Sequence, residues 1–124
     1  MTEALTNEHL EIITRMTREL DDYLVSLRWG LGAAEEHYGL HGEARDAFLR
    51  RYLIELVKAG GQPIEPADDG IHAWRIIQRY GTTPEEIADG MLAEWKAAGE
   101  PDPDWGEYSF AAEHVYTQLL EDLK

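Results

Sequence analysis

Cysteine is absent from this 124-residue chain, which removes disulfide scaffolds, thiol catalysis and cysteine-based zinc sites together. Basic side chains are scarce: eleven Lys and Arg stand against 25 Asp and Glu, a formal charge of -14. Such a balance opposes binding to DNA, RNA or an anionic membrane surface, because phosphate would meet a repulsive field. No apolar run is long enough to span a bilayer, and Met1-Thr2-Glu3-Ala4 lacks the basic and apolar segments of a signal peptide, so a cytoplasmic protein is expected. Gly-rich phosphate loops, dinucleotide fingerprints and Gly-x-Ser-x-Gly elbows are missing, so no cofactor is expected. Runs of β-branched residues are missing as well, which points to an all-α chain.

What is present suits one folded domain. Hydrophobic residues make up 44% and charged residues 29%, and a chain of this length buries roughly two-thirds of its unfolded surface without a metal or disulfide. The expectation is a single-domain helical bundle of about five to six helices over residues 1–124.

Leu10, Ile13, Thr17, Leu20, Leu24, Leu27, Leu31, Ala34 and Tyr38 follow a heptad stripe, with Thr6 or Asn7 as the cap. Unbroken, that helix would be roughly 48 Å long at 1.5 Å per residue, against a domain diameter near 35 Å. A bend near Gly30-Gly32 resolves the overhang, because glycine weakens a helix interior. The alternative is a straight helix whose end packs against a second copy, a homodimer through the first helix.

Further along, Ala44, Phe48, Tyr52, Leu53, Leu56 and Val57 form the face of a helix closed by Gly60-Gly61. Gln62 to Gly70 reads as a loop, and Ile71 to about Tyr80 as a helix with Trp74 and Ile77 inward. Thr83-Pro84-Glu85-Glu86 combines a capping Thr, a proline at the first helical position and a returning Glu, so a helix starts there. Its stripe is Ile87, Met91, Trp95 and Ala98, and Gly99 stops it. The prolines of Glu100-Pro101-Asp102-Pro103-Asp104 force a surface loop. Ser109 then caps a last helix carrying Ala112, Tyr116, Leu119 and Leu123 on one face.

Function rests on charge and aromatics. Residues 1–62 carry a net of -4 and residues 63–124 a net of -10. Within the second half, Asp102, Asp104 and Glu107 surround Trp105, a large amphipathic anchor in negative charge. That loop is the expected recognition edge of a non-catalytic acidic protein-binding domain, an inhibitor, immunity-type protein or adaptor that masks a basic partner surface.

The alternative class is a metal-binding or enzymatic helical domain. His37 and His41 stand four residues apart, the spacing that puts two ligands on one helix face, although Gly39 and Gly42 interrupt it. Asp68 and Asp69 precede His72 at a spacing suited to a pocket base, and His114 could join a site only through the tertiary fold. A third class is a small-ligand sensor with an aromatic pocket at Trp29 or Trp74.

Overall fold

The computed structural model of the chain describes residues 5–67, 74–103 and 107–121, with side chains up to residue 118. It corrects the all-α expectation: a four-stranded antiparallel sheet stands beside the helices, its strands in the spatial order β1 (Val25–Ser26), β4 (Ser109–Ala112), β2 (Gly61–Pro66) and β3 (Trp74–Ile76), so the fold is mixed α/β.

The heptad stripe does not run as one helix, bent or straight. Helix α1 (Asn7–Thr17) starts on a Thr6 capping box and passes into a 3-10 turn over Arg18–Asp21. Strand β1 (Val25–Ser26) follows, and only then α2 (Leu27–Leu31), which widens into a π-helical stretch over Gly32–His37. The break therefore lies at residues 18–26, ahead of Gly30-Gly32. Leu20, Leu27 and Leu31 of the stripe are buried in one core whichever side of the break they occupy, which is why the spacing conceals it, while Leu24 packs against a second cluster. With no long first helix, the overhang that suggested a homodimer through it is not formed.

Helix α3 (Gly42–Lys58) buries Phe48, Tyr52, Leu53 and Leu56 as its periodicity requires, and Gly60 closes it at φ +101. Strand β2 (Gly61–Pro66) and strand β3 (Trp74–Ile76) replace the expected loop and helix. β2 is central despite Pro63, and the geometry shows why that is tolerated. In a strand the N and C=O of one residue point to the same side, and the Pro63 carbonyl accepts from the Ile77 N–H at 2.8 Å. The missing donor thus faces just past the end of β3, and no bond to β4 is lost.

Helix α4 (Pro84–Ala97) begins on the expected capping box, with Thr83 accepting from the Glu86 N–H and Glu86 returning the bond. Ile87, Met91 and Trp95 are buried, and Ala98 is exposed as the C-cap. Ser109 opens strand β4 (Ser109–Ala112) instead of capping a helix, and α5 (Glu113–Glu121) starts after it.

The pairings Val25↔Phe110 and Ile64↔Ser109 sort the sheet into two faces. Val25 and Phe110 join the main core with helices α1 to α4. Ile64, Trp74 and Ala111 form a second cluster covered by Leu24 and by Val115 and Tyr116 of α5. The Tyr116 hydroxyl donates to the Trp74 carbonyl at 3.3 Å. Among the described residues no helix is long and apolar enough to cross a membrane.

Candidate functional site

Trp29 is the residue from which a site can be built. It lies on α2 at 43% exposure, although an indole gains from burial, and it borders a depression of about 900 Å³. Ile12 and Met16 of α1, with Leu31 and Ala33, make the apolar side of that depression. Glu35 and Glu36 come from the π-helical stretch, whose extra residue per turn redirects side chains, and Asp102 and Pro103 come from the loop after α4.

Close packing behind α2 fixes its height. A Cβ on Gly30 would lie 2.5 Å from the Tyr52 ring, so only glycine lets α2 seat on α3 here. The Tyr52 hydroxyl donates to the Ser26 carbonyl at 2.8 Å, and deep burial pushes its pKa well above the usual tyrosine range. Tyr52 therefore stays neutral and acts as a strut.

The loop is held from two sides. Arg28 of α2 donates to the Pro103 carbonyl at 3.3 Å, and the Trp95 indole of α4 donates to the Pro101 carbonyl at 2.8 Å. Glu100 enters the segment with φ +53 and Tyr108 leaves it with φ +52, backbone positions that glycine usually occupies. Arg45 braces the same end, bonding Glu100 at 2.9 Å, Asp46 at 3.0 Å and Glu35 at 3.4 Å, with its guanidinium over the Trp95 ring. Asp102 is thereby anchored beside the Trp29 depression.

Ion pairing decides which carboxylates remain available. Glu35 is shared with Arg45, whereas Glu36 and Asp102 make no ion pair among the described residues. The rim thus carries two carboxylates without an ion pair among the described residues, together with the Arg28 guanidinium, next to an exposed indole and an apolar floor.

Of the expected recognition edge, Asp102 and Glu107 are described, and they border different hollows. Asp102 borders the Trp29 depression, while Glu107 borders a smaller hollow with Arg79, Tyr80, Glu94 and Tyr108. Asp104 and Trp105 lie outside the described residues. In the smaller hollow, Arg79 bonds Glu94 at 2.8 Å and Glu65 at 3.0 Å, and Arg75 bonds Glu65 at 2.6 Å. The Arg79 hydrogen bonds hold the Glu94 carboxyl below the usual carboxylate range. Partial burial and the bond to Glu94 push Tyr80 up. These charges join β2, β3 and α4, and they behave as a structural latch.

The histidines are dispersed. His37 closes the π-helical stretch with its ring against Tyr38, and His41 is the extended N-cap of α3, so the two do not share a helix. His114 lies at the start of α5, where its Nε2 is 2.7 Å from the Asp21 carbonyl. Asp68, Asp69 and His72 lie outside the described residues. Among the described residues no group of three His, Cys, Asp or Glu is placed to hold a metal ion.

Sequence reasoning put Trp29 at a helix bend and proposed it for an aromatic pocket, but missed its carboxylate neighbours. Glu36 is seven residues away and Asp102 is brought in by a loop, so only the tertiary fold assembles them. His9 was also missed: its Nδ1 accepts from the Thr6 N–H at 3.2 Å while its ring packs edge-on against Tyr38 and Phe48. Comparison with protein-family models, with curated proteins and with solved structures finds no match to this chain.

Proposed function

We propose that this chain is a non-catalytic acidic docking module that seats a basic segment of a partner protein in the Trp29 depression and so covers that partner's cationic surface. The observation that carries the reading is the exposed Trp29 indole beside the carboxylates of Glu36 and Asp102, which make no ion pair among the described residues. An indole face and nearby carboxylates both attract Lys and Arg, and the apolar floor accepts the stem or a neighbouring apolar residue. The chain's charge of -14 adds long-range attraction for such a partner. Arg28 and Trp95 hold the loop before any partner arrives, which limits the ordering cost of association.

The test is affinity capture from the cell that makes the protein, with wild type, Trp29→Ala, Asp102→Lys and a Glu36→Lys/Asp102→Lys double variant as baits. A basic protein retained by wild type and lost from Trp29→Ala and the double variant supports the reading. Equal retention by all four baits, or retention of acidic proteins only, overturns it.

A further inference from the structure

A second groove, between α3 and α4, is balanced in charge where the first is acidic. Of the chain's eleven cations, Arg50, Arg51, Lys58 and Lys96 border it. Glu43, Asp46, Glu85 and Asp89 match them, so this face is formally neutral and the whole charge of -14 resides elsewhere. Two copies of so acidic a chain repel one another over most approaches, and this face opposes their contact least. Ala47 and Ala93 supply a narrow apolar strip along its middle, over the buried Ile54 and Leu92.

The order of residues along α3 makes the face self-complementary. Glu43 lies at its N-terminal end and Lys58 at its C-terminal end, and neither makes an ion pair among the described residues. A two-fold axis crossing α3 between Arg50 and Arg51 sets Glu43 of one copy against Lys58 of the other, and Ala47 against Ile54. That reciprocity is the requirement of an isologous contact. The arginines brought to the axis are already neutralised within their own chain, Arg50 by Asp89 at 2.7 Å and Arg51 by Glu55 at 2.9 Å.

We infer that the chain self-associates as a two-fold dimer through this α3–α4 face. Seventeen residues of α3 span about 25 Å, and two helix widths give about 20 Å, so each copy offers roughly 500 Å². A total near 1,000 Å² is the size of a weak, reversible contact. The α3–α4 groove and the Trp29 depression share no lining residue, so a dimer would leave two acidic depressions open. The inference stands whether or not those depressions bind a partner.

Sedimentation velocity on the purified chain, over a concentration series, tests it. Wild type is expected to shift from one chain mass to two as concentration rises. Glu43→Lys and Lys58→Glu should each weaken the dimer about tenfold, and the double exchange should recover most of that loss. Both positions are exposed, and an unchanged circular dichroism spectrum confirms that each variant folds. Ala47→Glu adds a third readout, because it puts like charge into the apolar strip of both copies. A chain that stays monomeric up to millimolar concentration overturns the inference, as does a dimer that tolerates both single exchanges and Ala47→Glu. A photo-crosslinker at position 47 should reach α3 of the other copy. A product on the Trp29 depression instead would show head-to-tail contact and overturn the two-fold arrangement.

Discussion

Gly30 shows how much one missing side chain can position. Its bare Cα lets α2 approach the Tyr52 ring, and a methyl there would overlap two ring carbons at 2.5 Å. Gly30→Ala is therefore expected to cost about 1–3 kcal/mol despite alanine's better helix propensity, since the core must shift to admit it. Chemical denaturation measures the loss. Gly32→Ala is the control: its added methyl meets nothing nearer than a Glu36 oxygen at 4.0 Å, and it should be neutral or mildly stabilising. The sequence offered both glycines as one weak point, because spacing carries no information about which of them faces a packed ring. Trp29 taught the same lesson in reverse. The sequence set it beside the proposed bend and offered it for an aromatic pocket, but its 43% exposure was not legible, since exposure depends on what the rest of the chain leaves uncovered.

Among the elements, legibility followed the locality of the signal. The Thr83-Pro84-Glu85-Glu86 start was readable because every bond of a capping box lies within four residues. Thr83→Ala should lower stability by about 1 kcal/mol, measurable as a lower denaturation midpoint. The strands were unreadable for three separate reasons. β4 is buried on both faces, so Ser109-Phe110-Ala111-Ala112 shows no alternation. β2 carries two prolines, and Trp74 of β3 with Ile77 just beyond it has a spacing that also fits a helix. Ion pairs between elements carry a pH dependence whose direction can be worked out. For Asp46, partial burial opposes ionisation, but bonds from Lys96 and Arg45 outweigh it and hold the carboxyl below its ordinary range. Glu94 is held low by Arg79. A depressed carboxyl stabilises the fold above its unfolded pKa, and that contribution disappears as pH falls through the folded value. Melting temperature should thus decline below about pH 4–5, where unfolded carboxylates take up protons first. Asp46→Asn/Glu94→Gln should show a lower melting temperature at pH 7 and a flatter decline into acid.

For the whole molecule, charge was the most legible property and its arrangement the least. Composition alone gave -14 and the acidic second half, yet the neutral α3–α4 face, and Glu36 and Asp102 without an ion pair among the described residues, appear only once the cations have been assigned their partners. The assignment separates two contributions to partner capture. Long-range attraction acts before contact, so Glu36→Lys and Asp102→Lys should reduce the association rate, and their effect should shrink as salt brings the screening length to about 3 Å near 1 M. The Trp29 indole acts only after contact. Trp29→Ala should therefore speed dissociation, by an amount on the order of thirtyfold if the indole contributes the roughly 2 kcal/mol of a hot-spot residue, and that factor should persist in high salt. Surface-plasmon-resonance kinetics with the captured partner, run for each variant at low and high salt, resolve the two. If Trp29→Ala changed only the association rate, or if the charge reversals kept their full effect in 1 M salt, the depression would not be where the partner sits, and the acidic field alone would account for the attraction.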